Sequence, residues 1–213
     1  MIRLLGYFFG IGTVMFLIVA AGVALYVQNM SEDLPDYQVL AAYEPKVTTR
    51  FQASDGSLMA EYAKERRLFL PIQAIPDRLK NAYLAAEDKN FYEHPGIDIQ
   101  GLGRAVLMFA KGGPRQGGST ITQQVAKNFL LTNEQSIERK VKEAILSLRI
   151  EQAYSKDRIL ELYLNEIYLG LGSYGVAAAS LAYFDKSVNE LEIQEAAYLA
   201  ALPKAPSNYD PFR

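Results

Sequence analysis

An uncharged apolar run near the amino terminus, from Leu4 to Val27, limits the folds open to this chain more than any other part of its sequence. At about 1.5 Å per residue, a helix of this length exceeds the roughly 30 Å hydrocarbon core of a bilayer. The run is longer than the apolar region of about 7–15 residues in a signal peptide, although Gly22-Val23-Ala24 is similar to a cleavage site. The sequence therefore predicts a transmembrane anchor over residues 4–27, with a cleaved signal peptide as the alternative.

The charges on either side of this run predict its orientation. Arg3 and the amino terminus precede it, whereas three acidic residues follow it, namely Glu32, Asp33 and Asp36. Because positive flanks tend to remain on the cytoplasmic side, the rest of the chain is predicted to lie outside the cytoplasm. Residues 1–3 are then the cytoplasmic end, and the polar, proline-containing residues 28–46 are predicted to be a juxtamembrane linker.

Residues 47–213 are sufficient for one buried domain, and a second full domain is not expected. The 22 basic and 24 acidic residues give a net charge of -2, which offers no general reason to expect nucleic-acid binding. The chain has no cysteine and one histidine, His94, so thiolate and multi-histidine metal clusters are excluded. Any catalysis or ligand binding must therefore depend on carboxylate, amide and cationic side chains.

The pattern beyond the linker predicts a mainly α fold with a small hairpin at its start. Two β-forming runs flank Ser54-Asp55-Gly56-Ser57, which has the composition of a turn. Helices are then predicted to start at Pro76, near Ser119-Thr120, at Ser136, at Ser155, and at a capping box of Ser187 and Glu190 that opens a helix ending before Pro203. The apolar stripe of the helix from Ser136 is predicted to be Ile137, Val141, Ala144, Ile145 and Leu148.

The segment from Ile97 to Gly118 differs from the rest because glycines surround an apolar stretch, Val106 to Phe109. One interpretation is a mobile flap that partly faces the membrane. A buried short helix with a flexible exit loop is the alternative.

The first candidate for chemistry is Glu87, which the helical pattern places near the end of a helix. A carboxylate partly walled by Phe91 and Tyr92 would have its basicity raised by desolvation, as a general base requires. An ordinary surface carboxylate is the alternative. We interpret His94, which precedes Pro95, as a turn-stabilising imidazole rather than an acid or base.

The second candidate is the segment from Gly117 to Gln124, where glycines and hydroxyls occur at a predicted helix start. Unpaired N–H groups at such a start attract phosphate oxygens, although simple capping explains the pattern equally well. Gln123 and Gln124 add hydrogen-bonding groups for sugars or a pyrophosphate, and Lys127 adds a positive charge one turn later.

The third candidate is a charged face on the helix from Ser136. Arg139, Lys142 and Glu143 project from one side of it, with Lys140 beside them. Two cations flanking a carboxylate could hold a pyrophosphate leaving group or a metal that binds one. A solvated, salt-bridged helix face is the alternative.

Together, these segments resemble the glycosyltransferase family 51 domain of class A penicillin-binding proteins and monofunctional peptidoglycan glycosyltransferases. The five motifs of that family match, in order, EDKNFYEHPG, GGSTITQQVAKN, RKVKE, KDRILELYLNEIYLGLGSYG and AAYLAALPKAPSNYDP. The anchor and the LPKAPSNYDP ending look more like a bifunctional class A protein than a monofunctional one. The resemblance covers nearly all of residues 47–213, which we therefore interpret as a peptidoglycan glycosyltransferase domain in the N-terminal portion of such a protein.

The resemblance implies a lysozyme-like helical fold that polymerises lipid II into glycan strands in the bacterial inner membrane, with the catalytic domain on the periplasmic side. It implies inversion at the anomeric carbon and release of undecaprenyl diphosphate, and its other partners would be the growing strand and cell-wall synthesis proteins. Its catalytic base maps to Glu87 and its second functional glutamate to Glu143. Its contacts to the diphosphate map to Lys127, Arg139, Lys140 and Lys142, and its sugar or phosphate contacts map to Ser119, Gln123 and Gln124.

The family implies a divalent cation such as magnesium, although its ligands are not identified by the residues. One departure is that Glu134 is followed by Gln135, where the family often has arginine, which puts one diphosphate contact in doubt. Glu161 and Asn165 of the fourth motif are expected to be structural, and Tyr163 and Leu164 between them to be core residues. The chain contains no Ser-x-x-Lys acylation motif, so a transpeptidase domain is predicted to be absent from it.

Two other functions fit the same pattern. A lysozyme-like hydrolase or lytic transglycosylase could also use a single glutamate as acid and base. A non-catalytic membrane-anchored module could use the fold only to bind a partner.

Overall fold

The computed structural model of the chain is mainly α-helical. It describes residues 2–43, 49–54, 58–62, 66–112, 118–132, 134, 136–206, 208–209 and 211. Its elements are α1 (Ile2–Glu32), β1 (Thr49–Gln52), β2 (Leu58–Tyr62), β3 (Arg66–Arg67), α2 (Asp77–Glu87), α3 (Ile99–Ala110), α4 (Ile121–Leu130), α5 (Ile137–Ala153), α6 (Lys156–Glu166), β4 (Ser173–Tyr174), α7 (Val176–Phe184) and α8 (Ile193–Ala201), with short 3₁₀ turns at Tyr37–Leu40, Ile72–Ala74 and Leu202–Lys204. The predicted mainly α class is therefore confirmed.

Helix α1 is the one helix in the described residues that is long and apolar enough to cross a bilayer. Its apolar window, Phe9–Glu32, has a mean hydropathy of 2.2, and none of it is buried against the rest of the chain. The helix continues beyond Val27 into the predicted linker, and the Arg149 guanidinium donates a hydrogen bond to the Ser31 carbonyl at 3.3 Å. The first part of that linker is thus helical, whereas residues 44–46 lie outside the described residues.

Two small sheets accompany the helices. Strands β1 and β2 pair antiparallel, with Thr49 opposite Tyr62 and a register shift after Phe51. Residues 55–57 of the predicted turn lie outside the described residues, so the hairpin connection stays a prediction. Strand β3 pairs in parallel with β4 and joins the start of the domain to the region before α7.

The centre of the domain is α6, in which residues 159–165 are all buried. Ile159, Leu160, Leu162 and Leu164 are inaccessible to solvent, and the polar side chains among them, Glu161 and Asn165, are hydrogen-bonded. Helix α4 packs against α5 and α6, and α2 packs against α8. This packing brings the end of α2 beside the start of α4, where two of the predicted site segments lie.

Several predicted helix starts are confirmed by their caps. Thr120, Ser136 and Ser155 each accept a hydrogen bond from a backbone N–H in the first turn of α4, α5 and α6. Pro76 precedes α2 as its cap rather than being its first helical residue. The predicted capping box at Ser187 was wrong, because Ser187 and Glu190 form a turn and α8 starts at Ile193 behind a Glu192–Glu195 box.

The predicted apolar stripe of α5 was also wrong. Ile137 is 83% exposed and Leu148 is 39% exposed, whereas the buried face carries Glu143 and Ser147 beside Leu146 and Ile150. Polar groups can occupy this face because Glu143 is paired with cations of its own helix and the Ser147 hydroxyl donates to a helix carbonyl at 2.8 Å. A prediction based only on the apolar residues of α5 therefore identified the face next to the one that is buried.

The glycine-rich segment contains the helix α3, which contradicts one of the two predicted forms. Ile99, Leu102, Leu107 and Met108 are all exposed, so α3 is not the buried helix of the alternative interpretation. The exit loop, residues 113–117, lies outside the described residues. An amphipathic helix with exposed large apolar side chains is consistent with a surface that faces a membrane.

Candidate active site

Glu87 is the last residue of α2 and is partly buried beside the start of α4. Its Oε2 accepts a hydrogen bond from the Gln124 side-chain amide at 2.7 Å. Burial is the largest influence on the pKa of Glu87 and raises it above the usual value, while the Gln124 bond opposes the rise. The negative charge of Asp88 raises the pKa further, and the positive charge of Lys204 lowers it.

A buried network beneath Glu87 joins α2 to α4. The Asp88 carboxylate accepts from His94 Nε2 at 2.9 and 3.0 Å and from the backbone N–H of Ile121 at 3.0 Å. The N–H of Gly96 donates to His94 Nδ1 at 3.1 Å, so in this arrangement Nδ1 is the acceptor and Nε2 is the donor to Asp88. His94 therefore stabilises the turn, as the sequence analysis indicated.

Gly96 is required in this turn for two reasons. Its φ of +97° is a conformation that residues with a side chain rarely adopt, and a Cβ there would lie 2.8 Å from the Ser147 carbonyl oxygen. The Gly96 carbonyl in turn accepts from the Thr120 hydroxyl at 2.6 Å. The first turn of α4, and with it Gln124, is thereby fixed relative to Glu87.

The predicted residues of α4 have different surroundings. Gln123 belongs to the capping box, because its side-chain oxygen accepts from the Thr120 N–H at 3.0 Å. Gln124 faces Glu87, and Lys127 is partly buried in the last turn. The structure thus brings Gln124 to Glu87 and gives Gln123 a capping function.

A second charged cluster lies at the start of α5. Glu143 is 1% exposed, and its carboxylate lies 3.0 Å from Arg139 Nη1 and 2.5 Å from Lys140 Nζ. The Arg139 contact lacks hydrogen-bond geometry, so Arg139 Nε and Glu143 Oε1 are buried without a hydrogen-bond partner among the described residues. Lys140 Nζ also donates to the Ser119 hydroxyl at 2.9 Å, which connects this cluster to the segment before α4.

Lys142 of the same predicted charged face has a different ion-pair partner from Arg139 and Lys140. Its Nζ pairs with Glu138 at 2.7 Å, and this hydrogen bond raises the pKa of Lys142. It lines a cavity of about 270 Å³ that also includes Asp33, near the end of α1, and Arg139. Lys142 therefore faces the region where the chain leaves the anchor helix.

A cleft of about 530 Å³ opens next to Glu87. Helix α3 forms one wall, with Arg104, Leu107 and Met108 in the lining, and Ser119 lies in the opposite wall. Glu87 thus faces a space large enough for a bound sugar, and exposed apolar side chains of α3 border it.

The fourth motif holds the segment between β3 and α2, in agreement with its expected structural role. Glu161 accepts from the Ile72 N–H at 2.8 Å, and Asn165 both accepts from the Leu70 N–H at 2.8 Å and donates to the Leu70 carbonyl at 2.9 Å. Tyr163 and Leu164 are buried, as predicted. These contacts fix the segment that leads into α2.

Two charged neighbours of Glu87 were missed by the sequence analysis. Lys204 lies in the 3₁₀ turn after α8, and a lone cation in the otherwise apolar LAALPKAP segment was the available signal. Asp88 was within the first motif, but its pairing with His94 depends on a turn geometry that the sequence does not reveal.

No group of three or more histidine, cysteine or acidic side chains in the described residues could hold a metal ion. Glu143, the buried carboxylate of the candidate cation-binding face, is already neutralised by two basic side chains. Within the described part of the chain, the side chains therefore do not form a metal site by themselves.

Comparison with known proteins shows what this chain is similar to. The family model described as Transglycosylase matches residues 55–213. Penicillin-binding protein 1A of Rickettsia felis is 54% identical over 202 residues, which are 92% of this chain and 26% of that protein. Penicillin-binding protein 1A of Neisseria flavescens is 52% identical over 179 residues, which are 84% of this chain and 22% of that protein.

A crystal structure of penicillin-binding protein 1A from Haemophilus influenzae is 29% identical and covers 80% of this chain and 16% of its own, with a TM-score of 0.40. The chain spans about a quarter of the length of the curated relatives it matches.

Proposed function

Because this chain belongs to the Transglycosylase family and is therefore a glycosyltransferase, we propose that it polymerises lipid II into peptidoglycan strands. The reaction inverts the anomeric carbon and releases undecaprenyl diphosphate. The observation that carries this proposal is the partly buried Glu87 carboxylate, hydrogen-bonded to Gln124 on one side and facing a cleft.

Glu87 acts as the general base in this proposal. Burial raises the pKa of Glu87, which makes its carboxylate a better proton acceptor than that of an exposed glutamate. The Glu87 carboxylate takes the proton of the acceptor's 4-hydroxyl as that oxygen attacks the anomeric carbon of the lipid-linked strand. The bond from that carbon to the diphosphate oxygen breaks, and the diphosphate leaves with the electron pair.

The cluster of Ser119, Arg139, Lys140 and Glu143 is the proposed diphosphate site. Its accessible cation is Lys140, whose half-exposed side chain can offer a positive charge to the diphosphate beside the Ser119 hydroxyl. Gln124, with its amide on Glu87, serves to position the base, while Gln123, Lys127 and Lys142 remain proposed contacts. A divalent cation such as magnesium would be held mainly by the substrate's diphosphate, because such ions often bind phosphates with few protein ligands.

The proposed location is the bacterial inner membrane, with α1 as a single-pass anchor and the domain on the periplasmic side. The anchor helix and the exposed apolar face of α3 support a cleft that opens close to the bilayer. This location suits a donor whose undecaprenyl chain stays in the membrane. The membrane, the growing strand and other cell-wall synthesis proteins are the proposed partners.

The test is a polymerisation assay with the whole chain in detergent micelles, lipid II as substrate and gel separation of the glycan products. The wild-type chain should lengthen strands, and Glu87→Gln should lose at least a hundredfold in rate, on the order expected for a general base. Glu93→Gln, an exposed glutamate in the same turn, is the matched control and should remain active. Shortening of preformed strands would indicate a hydrolase or lytic enzyme, and full activity of Glu87→Gln would exclude Glu87 as the base.

A further inference from the structure

Lys156 has a position in α6 that its own helix does not explain. It is the first residue of α6, where the positive end of the helix dipole makes a cation unfavourable. Its side chain is nevertheless only 20% exposed, and its ammonium lies 2.7 Å from the carboxylate of Glu151 in α5, which is 8% exposed. This ion pair is therefore held inside the domain rather than on its surface.

The ammonium of Lys156 contacts the turn that follows Glu87. Its Nζ donates to the His94 carbonyl at 2.7 Å and lies 4.4 Å from the centroid of the Phe91 ring. The ring of His94 is bonded to the carboxylate of Asp88, the residue after Glu87. Lys156 thus holds the α2 side of the candidate active site.

The carboxylate of Glu151 contacts the other side of the site, the first turn of α4. The Thr122 hydroxyl donates at 2.5 Å to Glu151 Oε1, the same oxygen that accepts from Lys156. Thr122 is inaccessible to solvent and lies two residues before Gln124, whose amide bonds Glu87. The Lys156–Glu151 pair therefore joins the two segments between which the Glu87–Gln124 hydrogen bond forms.

We propose that Lys156 and Glu151 form a clamp that positions the Glu87 carboxylate. Lys156 fixes the turn after α2 and Glu151 fixes the first turn of α4, so the clamp keeps Gln124 within hydrogen-bonding distance of Glu87. Neither clamp residue is among those that line the cleft, so both act on the reaction through other residues. The proposal rests on the function of Glu87 as a base, which must be oriented toward the hydroxyl that it deprotonates.

Loss of the clamp should change the titration of Glu87 in a definite direction. Burial raises the pKa of Glu87, and the Gln124 bond opposes that rise. A weaker Gln124 bond therefore raises the pKa, and the acidic limb of the rate, where the base is lost by protonation, moves to higher pH. Substitutions in the clamp leave in place the other ionisable groups whose charges act on Glu87 or respond to it, namely Asp88, Lys204, Tyr83 and Tyr163.

Two substitutions remove the two arms of the clamp in chemically different ways. Lys156→Met keeps an unbranched apolar stem but removes the charge and the donors, whereas Thr122→Val removes only the hydroxyl that bonds Glu151 and changes no charge. Both should move the acidic limb of the polymerisation rate to higher pH and lower kcat on the order of tenfold to a hundredfold, with KM little changed. Lys186→Met breaks an ion pair of the same length with Glu195 of α8, and as the matched control it should leave the limb and kcat in place.

The Gln124→Leu background separates positioning from a direct effect of the lysine charge. A clamp that acts through Gln124 has no contact left to hold in Gln124→Leu, so adding Lys156→Met should cause no further shift of the acidic limb. A direct electrostatic effect of Lys156 on Glu87 would persist in that background. An equal shift in both backgrounds would therefore overturn the proposal.

A second readout does not depend on activity. Infrared difference titration of the whole chain in micelles, with Glu87→Gln as the reference, follows the Glu87 carboxyl directly. Its midpoint should lie at higher pH in Lys156→Met and Thr122→Val than in wild type, and it should be unchanged in Lys186→Met. A wild-type midpoint in Thr122→Val would overturn the proposal even if wild type polymerises lipid II, whether or not Lys156→Met folds. Raised midpoints in a chain that forms no strands would support the clamp while rejecting the proposed function.

Discussion

The side-chain amide of Gln124 lies 2.7 Å from Oε2 of Glu87 and joins two helices that are distant in the sequence. Beneath this contact, the Asp88 carboxylate holds the first N–H group of α4. The orientation of Glu87 therefore depends on how the start of α4 is fixed.

Replacing Gln124 should change the titration of Glu87. The Gln124 bond lowers the pKa of Glu87, so Gln124→Leu should raise that pKa and move the acidic limb of the polymerisation rate to higher pH. Activity should fall most at low pH, where the base is lost by protonation. Rate profiles from acid to neutral pH measure this, and Gln194→Leu, at an exposed position on α8, should match wild type.

Replacing Asp88 should have two separable effects. The Asp88 carboxylate accepts hydrogen bonds from His94 and from the Ile121 N–H, and Asp88→Asn replaces it with a weaker acceptor. The substitution should lower the free energy of unfolding by about 2 kcal/mol. Because the Asp88 charge raises the pKa of Glu87, its loss should lower that pKa. Urea unfolding and Glu87 titration measure the two effects.

The exposed Asp77→Asn is the control for Asp88→Asn, and it should change neither quantity appreciably. An unchanged free energy of unfolding in Asp88→Asn would contradict the buried network described here.

The ion pairs of Glu143 and the ion pair of Glu138, all on α5, should differ greatly in their contribution to stability. Glu143→Gln leaves the partly buried Arg139 without its counter-charge and should cost about 3 kcal/mol of unfolding free energy. Glu138→Gln breaks the pair with Lys142 on the same helix, where the glutamate is exposed, and should cost less than about 1 kcal/mol. Urea unfolding measures both values. Equal losses of unfolding free energy in the two variants would indicate that the Glu143 cluster is solvated.

The sequence predicts the parts of this fold that depend on residues close together in the chain better than the parts that depend on packing between distant segments. The starts of α4, α5 and α6 were predictable because Thr120, Ser136 and Ser155 cap the helices that immediately follow them. Helix α7 was missed because its residues are almost all apolar and show no amphipathic period. The buried face of α5 was mispredicted because Glu143 is buried only with its two cations in place.

In the candidate site, too, the features within one segment were predictable and the contacts between segments were not. Glu87 and the residues of the third motif could be identified by type and by resemblance, since each lies within one continuous segment. The contact of Gln124 with Glu87 and the separation of Lys142 from the cleft depend on how α2, α4 and α5 pack. Side-chain spacing along one helix cannot show which neighbouring element a charge faces, so the sequence does not reveal that Lys142 lines the cavity near Asp33.

The exposed face of α3 should contact lipid. The chain has no cysteine, so Leu107→Cys gives a single labelling position, and Leu107 is 62% exposed on this face. In proteoliposomes, an environment-sensitive dye at position 107 should emit at shorter wavelength than in micelle-free buffer and should be quenched by lipids carrying a quencher in their acyl chains. Glu190→Cys, at an exposed acidic turn before α8, should give a water-like spectrum without such quenching. A water-like spectrum at both positions would place α3 away from the bilayer, and the cleft beside Glu87 would then have to receive its lipid-linked substrate through another opening.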